Sequence, residues 1–419
     1  MANRLVLAKK QLVNDSLVRQ STLLVGFSAI SMLFNFVYQL SMGQMLSARD
    51  YGVLVSLLSI FVIAQALSDT IQISMTKFTS RFQALGKPGA VHHIWRFSLK
   101  RTLFMGVALA LVLGLFSPLL YRFLHINNPW IVVATLASLI LVFALPVNYG
   151  VLRGLARFLP LGFSSAMWAL TKLLVGFILV FVGLGVSGAL LALVAANVII
   201  FFITSTFLKD VSWATEETGD IGGLLSYAGL TLLAVTCFTI LVNSDVLLST
   251  HYLGLVEGGN YAALSVIGKV AFYAPSGIFI VLFPKTSELF ELKREHRPLF
   301  IKAMFMTSFI GIVLLAIFGI FPTFVVEILF RGKYLPVAPN LFAYGLAMLL
   351  FSFSFLMLNY LLSINRTRVA YPLIGVVLMM FILIYLFHSS IAQIVNVLIA
   401  TSAASLILMF SFYLRGSRV

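Results

Sequence analysis

Apolar residues in this chain come in long runs and not in alternation. Twelve runs are long enough to cross a bilayer: 21–43, 52–76, 102–121, 130–152, 159–182, 185–207, 223–247, 260–284, 300–322, 339–362, 370–388 and 390–413. A spanning helix needs about 20 apolar residues, and none of these runs shows the period of two of a barrel strand. Hydrocarbon offers no water to satisfy backbone amides, so such runs fold as helices. The pattern predicts an all-α polytopic membrane protein with twelve transmembrane helices. The segment before the first run, MANRLVLAKKQLVNDSLVRQ, reads as a basic amphipathic lead-in. The run behind it is too long for the short apolar region of a signal peptide.

Composition supports lipid as the solvent. Of 419 residues, 61% are hydrophobic and 10% charged, against about 25% charged in soluble domains. The net charge of +15 raises the question of nucleic acid. The Lys and Arg residues answer it: they sit in short connections, with no basic stripe and no aromatic platform, so no nucleic-acid partner is expected. With both termini inside, 22 of the 28 Lys and Arg fall on the cytoplasmic side. Four (Arg49, Arg122, Arg331 and Lys333) fall outside, and two lie within spans. That bias sets the orientation and predicts a multi-pass protein of the inner (plasma) membrane with both termini cytoplasmic.

Shifting the chain by 210 residues brings NFVYQLSMGQMLSARDYGVL onto DVLLSTHYLGLVEGGNYAAL, so that Asn35 meets Asp245, Tyr51 meets Tyr261 and Leu54 meets Leu264. Pro88 meets Pro298 in the basic loops that follow. The repeat predicts two pseudo-symmetric six-helix bundles around a central cavity. Six is even, so the halves share one orientation in the membrane. The expected layout is a cytoplasmic segment 1–20, a bundle 21–208, an acidic cytoplasmic linker 209–222, a bundle 223–414 and a tail 415–419.

Enzyme chemistry is hard to find. The single cysteine, Cys237, lies inside an apolar run, and the six histidines lack metal-ligand spacing. There is no GxxxxGK[ST] loop and no nucleophile–base pattern. The connections are short, about 20 residues at most. These features predict no enzyme, no metal and no cofactor. Transport, if that is the task, would draw on a proton or sodium gradient or on the substrate's own.

The charges inside the spans remain: Asp69, Lys172, Asp245 and Lys269. An ionisable residue at membrane depth costs about 2.5–3.5 kcal/mol and faces a partner or a wet cavity. Two readings stand. The lysines pair with aspartates, for example Asp245 with Lys269 or Asp69 with Lys172. Alternatively they line a cavity and attract an anion, strengthened by the low dielectric. Asp69 lies in a polar stripe with Gln65, Ser68, Gln72 and Thr76, and Asn35 and Gln39 are i, i+4 neighbours; such groups line water or bind helices together. Pro146, Pro275 and Pro284 interrupt spans, as in the discontinuous helices of carriers. Arg153 and Arg157 in VLRGLARF face either membrane phosphates or a phosphate gate.

These residues resemble a known family. DVLLSTHYLGLVEGGNYAAL resembles the D-x-x-L…L-G-x-x-x-x-G-x-Y-x-A signature that opens the second half of polysaccharide-biosynthesis flippases. GQMLSARDYGVL is similar to the first-half element, VLRGLARF to the segment after the fourth helix, and VLFPKTSE to the end of the eighth. Those are the oligosaccharide flippases of the multidrug/oligosaccharidyl-lipid/polysaccharide exporter superfamily. Fourteen-helix members carry two further C-terminal spans than the twelve read here. The resemblance implies a V-shaped fold of two bundles and alternating access. The expected cargo is a polyprenyl-diphosphate-linked oligosaccharide, moved from the inner to the outer leaflet. It implies membrane lipids, a polysaccharide polymerase and glycosyltransferases as partners. Lys172 and Lys269 are then the candidates for the diphosphate site, with Asp69, Asp245, Asn35 and Gln39 as further cavity candidates. An ion-coupled drug exporter and a non-transporting assembly scaffold are the alternatives.

Overall fold

The computed structural model describes residues 2–116, 118, 129–212 and 229–415. Every element among them is helical. The end of the third run, most of the linker and the start of the seventh run lie outside the described residues. Among the described residues, eight helical stretches are long and apolar enough to cross a membrane, and the chain is a multi-pass membrane protein.

The helices follow the runs, with informative departures. The basic lead-in is not a separate element: α1 runs unbroken from Ala2 to Met45. Helix α2, Ala48–Ala84, extends eight residues past its apolar run. At 1.5 Å per residue it is about 55 Å long, well beyond a hydrocarbon core of about 30 Å. Gly86, with a φ of +66°, and Pro88, in the first turn of α3 (Pro88–Leu115), set the reversal between them. The fourth run is broken into α4, Pro129–Val142, and α5, Leu145–Gly154. Pro146 sits in the first turn of α5, where its missing N–H costs nothing.

Helix α6, Phe158–Leu179, leads through a π-turn at Val180–Leu184 into α7, Gly185–Thr206. Gly183 and Gly185 take φ values of +97° and +53° there, which a side chain would resist. A short helix α8, Lys209–Ser212, follows. After α9, Gly229–Leu253, the eighth run is cut into three: α10, Leu255–Gly268; α11, Val270–Tyr273; and α12, Ser276–Glu291. The cuts fall at Lys269 and Pro275. Helices α13 (Arg297–Ile320), α14 (Pro322–Phe330), α15 (Leu341–Ser363), α16 (Ala370–Leu386) and α17 (Ile391–Arg415) complete the chain.

The chain forms two compact units. The first is Met1–Ser41, Ser68–Ser117 and Asn128–Leu225; the second is Met42–Leu67, Pro118–Asn127 and Ser226–Val419. The first unit packs Met75, Phe78 and Phe82 of α2 against Val91 and Ile94 of α3, Val147 and Val151 of α5, and Leu161 of α6. A buried polar cluster ties its helices together: Trp95 Nε1 donates to Asn148 Oδ1 at 2.8 Å, and Asn148 Nδ2 donates to Thr204 Oγ1 at 2.9 Å.

In the second unit the hairpin 42–67 is held by bonds that the apolar pattern does not reveal. Gln44 Nε2 donates to the Leu329 carbonyl at 2.8 Å, and Ser56 Oγ to Thr250 Oγ1 at 2.8 Å. Lys333 Nζ donates to the carbonyls of Gly43 and Leu46, and Tyr334 OH to that of Gly43 at 3.1 Å. These cover the open carbonyls that end α1, where a cation also suits the helix dipole. Backbone meets backbone where α2 crosses α10: a Cβ on Gly259 would lie 1.8 Å from the Ala48 carbonyl oxygen, and one on Gly52 would lie 2.8 Å from the Gly259 nitrogen.

Gly259→Ala is therefore expected to lower the melting temperature of the detergent-purified protein markedly, since the obstruction is backbone. Overpacking costs about 1–3 kcal/mol even where side chains can yield. Gly26→Ala, with no atom within 4 Å of the new methyl, is the control and should melt at or above the parent. Equal melting of the two variants would contradict the crossing.

Candidate functional site

In the first unit, α6 presents Trp168, Lys172 and Gly176 at successive turns of one face. Helix α1 presents Ser31, Asn35 and Tyr38 at i, i+4 and i+7. Lys172 is 5% exposed. Its Nζ donates to Asn35 Oδ1 and lies 4.5 Å from the centre of the Tyr38 ring and 4.9 Å from that of Trp168. Each wall is tied elsewhere. Asn35 Nδ2 donates to the Ser31 carbonyl at 2.8 Å, Tyr38 OH to the Ala189 carbonyl at 2.9 Å, and Trp168 Nε1 to Asn197 Oδ1 at 2.9 Å. Gly176 leaves room for the Tyr38 ring, which a Cβ would approach to 2.7 Å. Cation–π contacts and amide dipoles thus solvate the ammonium. No ion pair of Lys172 with a carboxylate exists among the described residues, so its charge is not cancelled. Asn35 and Trp168 stay half-exposed, and Gln39, one turn beyond Asn35, is half-buried.

The second unit handles its lysine differently. Asp245 on α9 is fully buried. Lys269 Nζ lies 3.3 Å from its Oδ1, while Tyr344 OH and Tyr261 OH donate to its Oδ2 at 2.6 and 3.1 Å. Ser265 Oγ lies 2.9 Å from the Tyr344 hydroxyl, whose own proton is committed to the carboxylate. Lys269 stands at the break after α10, which lets its side chain turn toward α9. Lys269 therefore takes the ion-pair arrangement among those its sequence allowed, and Asp245 is a buried, closed carboxylate that accepts from Lys269 at Oδ1 and from two tyrosine hydroxyls at Oδ2.

Asp69 on α2 does not meet Lys172. It keeps an exposed face, and the charge acting on it is that of Arg153, also exposed, at the end of α5. Its stripe divides in two. Thr76 Oγ1 and Ser80 Oγ bond the carbonyls of Gly150 and Gly154 at 3.3 and 3.0 Å and hold α5, while Gln65 and Asp69 stay open. Arg157 is committed to structure: it donates to the Phe207 carbonyl at 2.6 Å and grips Asp210 through both guanidinium nitrogens. The two arginines of VLRGLARF thus differ, Arg153 open and Arg157 spent.

Sequence reasoning missed Tyr38, Trp168, Tyr344 and Ser265. Trp168 and Lys172 share i, i+4 spacing, and so do Asn35 and Ser31, which was a usable signal. Tyr344 lies 99 residues from Asp245, and nothing local points to it.

Two outcomes follow from these contacts. Lys269→Met strands the Asp245 carboxylate and should destabilise the protein by about 3–5 kcal/mol; adding Asp245→Asn should recover most of the loss in a thermal melt. Near the end of α7, Arg157 holds the Asp210 carboxyl below its ordinary value of 3.8. A depressed acid stabilises above that value, and the contribution disappears as pH falls below it. Both groups are partly exposed, so the pair is worth no more than about 1 kcal/mol. Arg157→Gln should flatten the acid limb of a melting-temperature profile by that small amount.

Comparison with known proteins agrees with this architecture. Residues 41–339 match the family described as "Polysaccharide biosynthesis protein". An uncharacterized membrane protein of Methanocaldococcus jannaschii, MJ1068, is 29% identical over 154 residues, which are 36% of this chain and 30% of that one. The chain thus spans less than a third of the curated relative it matches. A multidrug resistance MATE family transporter of the MOP superfamily superposes in its inward-facing conformation with a TM-score of 0.77, at 13% identity, over 91% of this chain and 94% of the other. An outward-facing conformation gives 0.70 at 14% identity, over 96% and 95%. The Vibrio cholerae MATE transporter gives 0.66 at 16%, over 96% and 97%. With the fold of the MATE transporters and a family match over most of its length, the chain belongs to the polysaccharide biosynthesis protein family.

Proposed function

We propose that this protein is a flippase. It moves polyprenyl-diphosphate-linked oligosaccharide from the inner to the outer leaflet of the cell membrane by alternating access. The observation that carries the reading is the uncancelled charge of Lys172 inside a bundle whose family serves polysaccharide synthesis. A fixed cation at membrane depth attracts an anion, and a lipid diphosphate is the anion this biosynthesis uses. The tail stays in lipid while the head group crosses. Asp69 beside Arg153 is the candidate for proton or sodium coupling, since its carboxylate is open and that of Asp245 is closed. The basic cytoplasmic ends suit the leaflet where the lipid-linked sugar is made and where glycosyltransferases and a polymerase would be partners.

The MATE-like fold also suits an ion-coupled multidrug exporter, the second reading. A cationic drug would meet the charge of Lys172 unfavourably, and this favours the flippase.

In cells lacking their own flippase, this protein should restore oligosaccharide accessible at the outer leaflet. Lys172→Met should reduce that signal at least tenfold at equal protein level. Full flipping with Lys172 neutralised sinks the role given to Lys172, and no restored signal with the unaltered protein points to the assembly scaffold or the exporter.

A further inference from the structure

The 210-residue repeat and the two lysine sites, taken together, make Asn35 the residue of interest. Asn35 and Asp245 are equivalent in the repeat, each on the first long helix of its half. Each receives a lysine: Lys172, buried, on Asn35, and Lys269, partly buried, on Asp245. The lysines themselves come from non-equivalent helices, so the arrangement is a property of the acceptor position. In one half that position is a carboxylate, and the site is neutral. In the other it is an amide, and no carboxylate among the described residues offsets the lysine.

We propose that Asn35 is the specificity-determining residue for cargo charge: by accepting from Lys172 without neutralising it, Asn35 keeps the first half selective for lipids with an anionic diphosphate head. The inference rests on the flippase reading above and deepens it. The cage geometry fits this role. Lys172 itself is nearly sealed, whereas Asn35 and Trp168 are half-exposed. A head group approaching this face meets the amide and the indole first, with the ammonium one hydrogen bond behind. Because the ammonium is nearly sealed, the attraction is weakly screened and acts at that distance. The other walls of the cage, Tyr38 and Gly176, are neutral, and α7 behind them carries no charged residue. One atom type at position 35 therefore sets the sign of the site. An aspartate there would recreate the closed pair of Asp245 and Lys269.

The test uses full-length purified protein in detergent and farnesyl diphosphate as the probe, with farnesol as the same tail without charge. Wild type should bind farnesyl diphosphate. Asn35→Asp should weaken that binding at least tenfold while melting higher than Asn35→Leu, which removes the amide without adding charge. Asn35→Leu should bind the diphosphate at least tenfold more tightly than Asn35→Asp, so stability and affinity run in opposite orders. Farnesol should not distinguish Asn35→Asp from Asn35→Leu. If an Asn35 variant does not fold, Lys172→Arg against Lys172→Met asks the same question, with the diphosphate favouring the arginine at least tenfold. The proposal is overturned by no diphosphate binding in wild type, by equal binding of Asn35→Asp and Asn35→Leu, or by farnesol following the diphosphate order. A mere helix-bonding role predicts equal binding. Loss of flipping in cells with this binding order intact removes the flippase reading alone.

Discussion

A charge placed in hydrocarbon must bring its own solvent, and the interior of this protein is organised by that requirement. Water would solvate an ammonium with several oxygens; the protein supplies a few groups, each fixed by a second bond. Around Lys172 they are an amide oxygen and two ring faces. Around Asp245 they are an ammonium and two phenol hydroxyls. The first set joins α1 to α6 and the second needs Tyr344 from α15, so neither is complete until the bundle is assembled. The helix faces and the crossing distances follow from where these groups must converge.

Glycine sets how closely the helices meet. Gly176 admits the Tyr38 ring beneath Lys172, and Gly268 admits the ring of Tyr344, to which a Cβ would come within 2.2 Å. Gly150 and Gly154 seat α5 on α2. Small residues do this in membranes because lipid gives no hydrophobic drive for helices to associate, leaving packing and hydrogen bonds as the glue. The same positions would be unremarkable in a composition count. Their effect comes from standing one turn from a polar group that a neighbouring helix must reach.

Much of the fold was legible in the sequence, because apolar length and the positive-inside bias are direct consequences of the bilayer. The breaks were legible at Pro146 and Pro275, whose missing N–H groups mark helix ends. The continuation of α1 through its basic lead-in was not, since charged residues are as compatible with a helix outside the bilayer as with a loop. The site was half legible. Buried lysines announce themselves by their cost, and Asp245 was a named partner for Lys269. Asn35 was noted as a polar neighbour of Gln39, but its bond to Lys172 spans 137 residues and depends on how α1 and α6 are rotated. Hydropathy carries no information on rotation. Arg157 shows the same limit: its partner Asp210 lies 53 residues on, in a helix of four residues.

The π-turn between α6 and α7 bears on how the chain enters the membrane. Five residues join the two helices, and they pack side by side along their length. Helix α7 carries no charge at all over its 22 residues. Two helices so tightly joined suit insertion as one hairpin, in which the apolar second arm offsets the cost of carrying Lys172 into the bilayer. The turn that looks like a mere connection thus ties the helix that buries Lys172 directly to one with no charge to bury.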